Sequence, residues 1–158
     1  QTIAVALNDL EAAADGYRLR HPRHVATFTP EGLQFTLRRG GPEWAWQLMS
    51  VGAGALPLAG VAVGAVRPAS EQPGVVAYLR GGLVEQYLAR QDSLEQQFII
   101  PQPLGLGGAG RVVVGAVRSA GTFEATEDGW RWRTTEGAVR LGDVRAYDAT
   151  GHTTCWPA

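Results

Sequence analysis

The chain reads as all-β and mainly antiparallel: a β-sandwich or partly open barrel with one short N-terminal helix. Three observations carry that expectation. Short runs rich in β-branched and aromatic residues recur at roughly 8–12-residue spacing, with Gly, Pro and Asp between them. Within the runs, apolar and polar residues alternate with the period of two that a half-buried strand needs. No helical stretch separates them, which argues against parallel βαβ units.

The elements follow in order. Ile3, Leu7 and Leu10 fall at i, i+4 and i+7, one face of a helix, and Asp15-Gly16 stops it. From Tyr17 the period changes to two. Leu33, Phe35 and Leu37 alternate with Gln34 and Thr36 after the turn signal Pro30-Glu31-Gly32. Trp44 and Trp46 share one face of the next strand, which continues through Leu48 and is broken by Gly52, Gly54 and Pro57. Val61–Val66 reads as a short apolar strand closed by Pro68, and Val75–Arg80 as another. After Gly81-Gly82, Leu83–Ala89 and Leu94–Ile100 form a hairpin around Gln91-Asp92-Ser93, ended by Pro101 and Pro103. Leu104–Gly110 is a Gly-rich loop and Arg111–Val117 a β-branched strand. Glu127-Asp128-Gly129 turns the chain before Trp130 and Trp132, again on one face, and Ala138–Tyr147 completes the set before the turn at 148–151. The expected organisation is one domain: a helix over 1–14, a sandwich-like body over 15–151 and a tail over 152–158.

Composition narrows the function. At 158 residues a single core can stand without metal or disulfide. Hydrophobic content of 45% and charge of 18% are those of a globular chain. A net charge of −1 with interspersed signs argues against nucleic acid, and no polybasic run suits a membrane surface. No apolar run reaches the ~18 residues of a membrane span. All 14 basic residues are Arg, which excludes Schiff-base chemistry and a phosphate-loop lysine. Cys155 is the one cysteine, so no intrachain disulfide forms. The chain begins at Gln1 rather than Met, which fits a removed leader and equally an arbitrary boundary.

Groups able to carry chemistry are thin. His21 and His24 are separated by Pro22 in extended surroundings, so their rings should diverge as exposed loop residues without metal-ligand partners. Cys155 beside His152 lacks an oxyanion donor and sits at the chain edge. Gly105–Gly110 superficially suits a dinucleotide, but prolines precede it and a strand follows. Asp143 and Asp148 lack the alternating acidic spacing of a calcium loop. No cofactor or metal site is therefore expected. Glu85 and Glu95 would approach one another if their strands pair, as a glycosidase requires; read as outward sheet residues, they pair instead with Arg80 and Arg90 and fix register, as Gln96 and Gln97 do. Two same-face pairs, Trp44/Trp46 and Trp130/Trp132, could fill the core or stack on sugar rings.

Several strings resemble a known group. They are Tyr17-Arg18 through His21-Pro22, Phe28-Thr29-Pro30-Glu31-Gly32-Leu33, Tyr78–Tyr87, Leu94-Glu95-Gln96-Gln97-Phe98 and Val144–Gly151. Together they resemble the N-terminal β-rich module of large secreted bacterial proteins that carry FG-GAP, integrin-like or related β-propeller repeats. The chain departs from that pattern at Gln86, where Trp is frequent, and over 153–156. The resemblance implies export, a place in a surface or extracellular assembly, and no assigned catalytic residue. The expected function is a non-catalytic extracellular or cell-surface module that scaffolds or mediates assembly. Its partners would be other protein chains or downstream domains of the same polypeptide, with a homo-oligomer as one form. A carbohydrate-binding module using Trp44, Trp46, Trp130 and Trp132, with glycans as partners, is the alternative. A glycoside hydrolase using Glu85 and Glu95 stands behind both.

Overall fold

The computed structural model describes residues 9–53, 56–100, 111–142, 144–147, 150 and 153–155. Within them every regular element is a strand. In chain order these are β1 (Asp9–Ala13), β2 (Gly16–Arg20), β3 (His24–Thr29), β4 (Gly32–Leu37), β5 (Trp44–Ala53), β6 (Leu56–Pro57), β7 (Val75–Leu79) and β8 (Val84–Ala89). They continue with β9 (Leu94–Ile99), β10 (Arg111–Ser119), β11 (Thr122–Thr126), β12 (Gly129–Arg133), β13 (Ala138–Leu141), β14 (Arg145–Tyr147) and β15 (Thr153–Cys155). The large sheet runs β1-β2-β3-β4-β5-β10, with β6 beside the end of β5. Two smaller sheets, β7-β8-β9 and β11-β12-β13, and the β14–β15 ribbon complete the fold. All pairings between named strands are antiparallel.

Two-residue turns do much of the work. Pro22-Arg23 joins β2 to β3, with the His21 amide donating to the His24 carbonyl at 3.0 Å. Proline suits the first central position of such a turn. Gly81-Gly82 joins β7 to β8, with Arg80 and Leu83 bonded at 2.9 Å and Gly81 at a φ of 74°. That left-handed conformation is what a tight hairpin asks of its first central residue.

The helix expected over 1–14 is replaced by a strand in its described part. Leu10 and Ala12 lie opposite Leu19 and Tyr17 in the ladder, so Asp9–Ala13 follow the strand period rather than the helical one. Ala14-Asp15 is the turn of this hairpin, and Asp15-Gly16 therefore reverses the chain instead of capping a helix. Ile3 and Leu7 lie outside the described residues. A second correction concerns 61–66. Val61 makes one isolated bridge to Gly81, and no strand follows. The carbonyls of Ala62 and Gly64 instead accept from the Arg80 side chain, which takes them out of any ladder. The string Val63-Gly64-Ala65-Val66-Arg67 recurs as Val114-Gly115-Ala116-Val117-Arg118, and the two differ in structure, since the second lies within β10. Ala138–Tyr147 is divided between β13 and β14, and the loop 104–110 lies outside the described residues.

The core forms between the large sheet and β7-β8-β9. Leu19, Ala26, Phe28, Leu33 and Trp44 meet Val76, Tyr78 and Tyr87, with Val139 of β13 added at one side. Full burial of an apolar side chain such as Phe28 or Val76 contributes about 1.5–3 kcal/mol. A second cluster of Leu48, Val51 and Leu83 sits further along β5, flanked by Leu58, Val61, Phe98, Ile100 and Val113. Between the two, the Trp46 indole lies against Gly115 of β10, next to a register shift at Val114/Gly115. A Cβ at Gly115 would overlap that ring. Gly115→Ala is accordingly expected to lower the unfolding free energy by about 1–3 kcal/mol, seen as a reduced urea midpoint at unchanged slope. A wild-type midpoint would show that Trp46 has room to move.

Candidate functional site

The densest polar cluster among the described residues is buried between the sheets. It is centred on Glu85 of β8, whose side chain is 2% exposed, as is that of Arg80. The Glu85 Oε1 accepts from the Tyr87 hydroxyl at 2.7 Å, the Trp46 indole at 3.1 Å and the Gln96 amide at 3.1 Å. Oε2 accepts from the Arg80 Nε at 2.8 Å. Arg80 Nη1 donates to the carbonyls of Ala62 and Gly64, each at 3.0 Å, and its guanidinium lies 5.1 Å from the Tyr78 ring centroid. The Tyr78 hydroxyl donates to the Thr29 carbonyl at the end of β3. Burial pushes both phenols up, Tyr78 and Tyr87 alike, with the Glu85 carboxylate adding to it. Both tyrosines therefore remain neutral donors at ordinary pH.

Register explains which side chains meet. Tyr78 lies opposite Glu85, and Tyr87 opposite Gln96, so all four point inward from β7-β8-β9. Glu95 lies opposite Leu88, one step out of phase, and faces outward. There its carboxylate binds Arg90 Nη2 at 2.6 Å and accepts from the Gln97 amide. Hydrogen bonds from Gln97 and Arg90 hold it below the usual carboxylate range. Glu85 and Glu95 thus occupy opposite faces and do not converge on a substrate as two glycosidase carboxyls must. The expected pairs Arg80–Glu85 and Arg90–Glu95 both form, but the first is buried. Its partners Trp46, Tyr87 and Gln96 did not stand out in the sequence as one cluster. Their shared parity across a two-residue Gly-Gly turn is the signal that joins them.

The tryptophans divide. Trp44 is buried at 6% exposure and packs edge-on against Trp132 at 5.8 Å. Trp46 reaches inward to Glu85. This pair fills the core and presents no open platform. Trp130 and Trp132 do share a face of β12, together with Phe123, Ala125, Val139 and Leu141 of the neighbouring strands. Val139 and Trp132 close on the core, whereas Phe123 is 56% exposed and Trp130 half-buried.

His21 and His24 are also corrected. They are buried and stacked with ring centroids 4.5 Å apart. The turn at Pro22-Arg23 makes them a directly opposed ladder pair, so both rings fall on the inner face. Among the described residues no group of three His, Cys, Asp or Glu gathers to hold a metal ion. Asp143, Asp148, His152 and Gly105–Gly110 lie outside the described residues, and of the Cys155 side chain nothing is described.

The surface is polarised. Leu79, Val84 and Ile99 form one row across the outer face of β7-β8-β9, with Leu79 60% and Ile99 41% exposed. Met49, Val63 and Val114 are also exposed, Val114 on the outer face of the large sheet and so on the other side of the sandwich from that row. The sequence carries no charge between Glu43 and Arg67 or between Glu95 and Arg111. The opposite end holds Arg20, Arg23, Arg38, Arg39, Arg90 and Asp92. No helix among the described residues is long and apolar enough to cross a membrane.

Replacing Glu85 by Leu strands a buried guanidinium, and a loss of about 3–5 kcal/mol is expected. Combining Glu85→Leu with Arg80→Met should cost less than Glu85→Leu alone, as measured by chemical denaturation; equal or greater loss would show that the ion pair is not what the interior depends on. No protein-family model matches the chain, and neither a curated protein nor a solved structure matches it.

Proposed function

We propose that this domain is a non-catalytic extracellular or cell-surface module that mediates assembly by contacting other protein chains. The observation behind it is the apolar row Leu79–Val84–Ile99 on the outer face of β7-β8-β9, with Leu79 60% and Ile99 41% exposed. Exposed apolar surface gathered in one place marks an interaction site more often than scattered exposure does. Burial of such a row contributes about 25 cal/mol per Å². A stable interface needs about 1,200–2,000 Å² in total, which requires the surrounding residues as well as the row. Strand edges supply a second means of contact. Among the described residues β1 and β10 end the large sheet, and β9 ends a smaller one. Edges of this kind recruit strands from other chains. The non-catalytic part of the reading is supported by Glu85, whose carboxylate is enclosed by four donors, and by Glu95 on the opposite face. The extracellular setting rests on the resemblance of the strings at 17–22, 28–33, 78–87, 94–98 and 144–151 to those of secreted propeller-bearing proteins.

Carbohydrate binding is the second reading, and Phe123 favours it. Its exposed ring lies 5.5 Å from Trp132 on the face that also carries Trp130. The platform for a pyranose would be Phe123 with Trp130 rather than Trp44 with Trp46.

Sedimentation velocity on the chain alone, up to its solubility limit, separates the two. Assembly predicts concentration-dependent association that the Leu79→Asp/Ile99→Asp double substitution removes without changing thermal stability. A strictly monomeric wild type would count against it. Sugar binding predicts a tryptophan-fluorescence change with oligosaccharides that Phe123→Ala and Trp130→Ala abolish; titrations that leave the emission unmoved would remove that reading.

A further inference from the structure

We propose that the stacked His21–His24 pair is an acid-sensitive clamp, closed at neutral pH, which ties the β2–β3 turn to the tip of the β8–β9 hairpin. The site lies at the charged end of the sandwich, away from the apolar row, and is independent of the assembly reading.

The geometry defines each imidazole. The Arg23 amide donates to His21 Nδ1 at 3.1 Å, so that nitrogen carries a lone pair. The proton of the neutral ring is then on Nε2, which donates to the Gln91 carbonyl at 2.9 Å. This bond joins the β2–β3 turn to the β8–β9 turn, to which Gln91 belongs, beside the exposed Arg23–Asp92 ion pair. His24 lies beneath the His21 ring, sandwiched between it and Phe35, whose centroid is 4.8 Å away. His24 is 2% exposed, and its Nε2 has no hydrogen-bond partner.

The charges around the pair oppose a cation there. From the β2–β3 turn come Arg23 and the His21 ring itself. From the end of β4 comes Arg38, whose Nε donates to the His21 carbonyl at 2.7 Å. From the β8–β9 tip comes Asp92, which is paired with Arg23 at 3.3 Å. Arg90 and Glu95 on the same hairpin are paired with one another. Asp92 is thus already matched to a guanidinium. Burial, His21 and Arg38 together push His24 down from 6.5 to about 4.

The direction follows from linkage. The closed form excludes the proton and the open form accepts it near the ordinary histidine value. The closed state is therefore fully favoured above pH 6.5 and loses that advantage as pH falls from 6.5 toward 4. Protonation of His24 breaks the stack beneath His21, frees the Gln91 carbonyl and releases the hairpin tip from the large sheet.

Native-state hydrogen exchange tests it, with rates corrected for chemical exchange. Protection of the His21 and Arg90 amides should fall about 20-fold between pH 7 and pH 5, while the amides of β4 and β5 keep theirs. His24→Phe preserves a ring between His21 and Phe35 and should flatten the response. An equal response in His24→Phe, a flat response in the wild type, or a loss spread evenly over β4 and β5 would overturn the clamp. Should the variant fail to fold, a proton NMR titration of wild-type His24 decides. A midpoint well below the ordinary histidine value supports the proposal, and a midpoint at or above that value overturns it.

Discussion

One buried carboxylate sets the terms for the two-sheet interior. Glu85 is a carboxyl side chain in a place with almost no water, where an unmatched charge would cost several kcal/mol. It is tolerated because donors reach it from β5, from β8 and β9, and from Arg80 at the end of β7. Arg80 in turn needs the carbonyls of Ala62 and Gly64, which fixes the path of a segment that is otherwise irregular. The apolar clusters on either side are non-directional and would accept several packings. The hydrogen bonds are directional, so they select the one in which Trp46, Tyr87 and Gln96 all point at the same oxygen. Specificity of the sheet-to-sheet arrangement rests here more than in the leucines and valines.

Much of the architecture was legible in the amino-acid order. Alternation at Leu33, Phe35 and Leu37, the paired tryptophans and the turn residues at 30–32, 91–93 and 127–129 placed the corresponding strands and turns. The N-terminus was not legible, because Leu10 satisfies both a spacing of seven on a helix and a spacing of two beside Ala12. Pairing with Leu19 decides between them, and that is a tertiary fact. Val61–Val66 misled for a related reason. Its composition suits a strand, but its carbonyls are claimed by a distant guanidinium. The site was half visible. Arg80 and Glu85 were recognisable as partners, whereas their burial depends on which parity of β7 and β8 faces inward. The histidines were misplaced because a three-residue separation suggests a helix or a loop, while a two-residue turn makes the same positions face each other.

The two ends of the sandwich have different chemistry, and the difference follows from the chain's own segregation of charge. Arginines and the stacked imidazoles collect where β2 turns into β3 and β8 into β9. Uncharged, small and branched residues collect where β5, β9 and β10 run together. One end carries the imidazoles with arginines around them; the other exposes the row Leu79–Val84–Ile99, with Glu31 in the turn between β3 and β4. Leu79 and Ile99 lie at the ends of β7 and β9 away from the β8–β9 turn, so a change at the histidines need not alter the surface they offer.

The Trp46–Glu85 bond also bears on how the chain reaches this form. Its partners are 39 residues apart, and the Arg80 contacts to Ala62 and Gly64 span 18 and 16. Hairpins such as β8–β9 close locally, but the carboxylate has its full set of donors only after β5 has arrived. Closing such distant pairs is entropically slow. Any docking of the small sheet that lacks one of these donors leaves the buried carboxyl under-matched, at a cost of several kcal/mol. Wrong arrangements of the two sheets are thereby penalised outright, not merely packed less well.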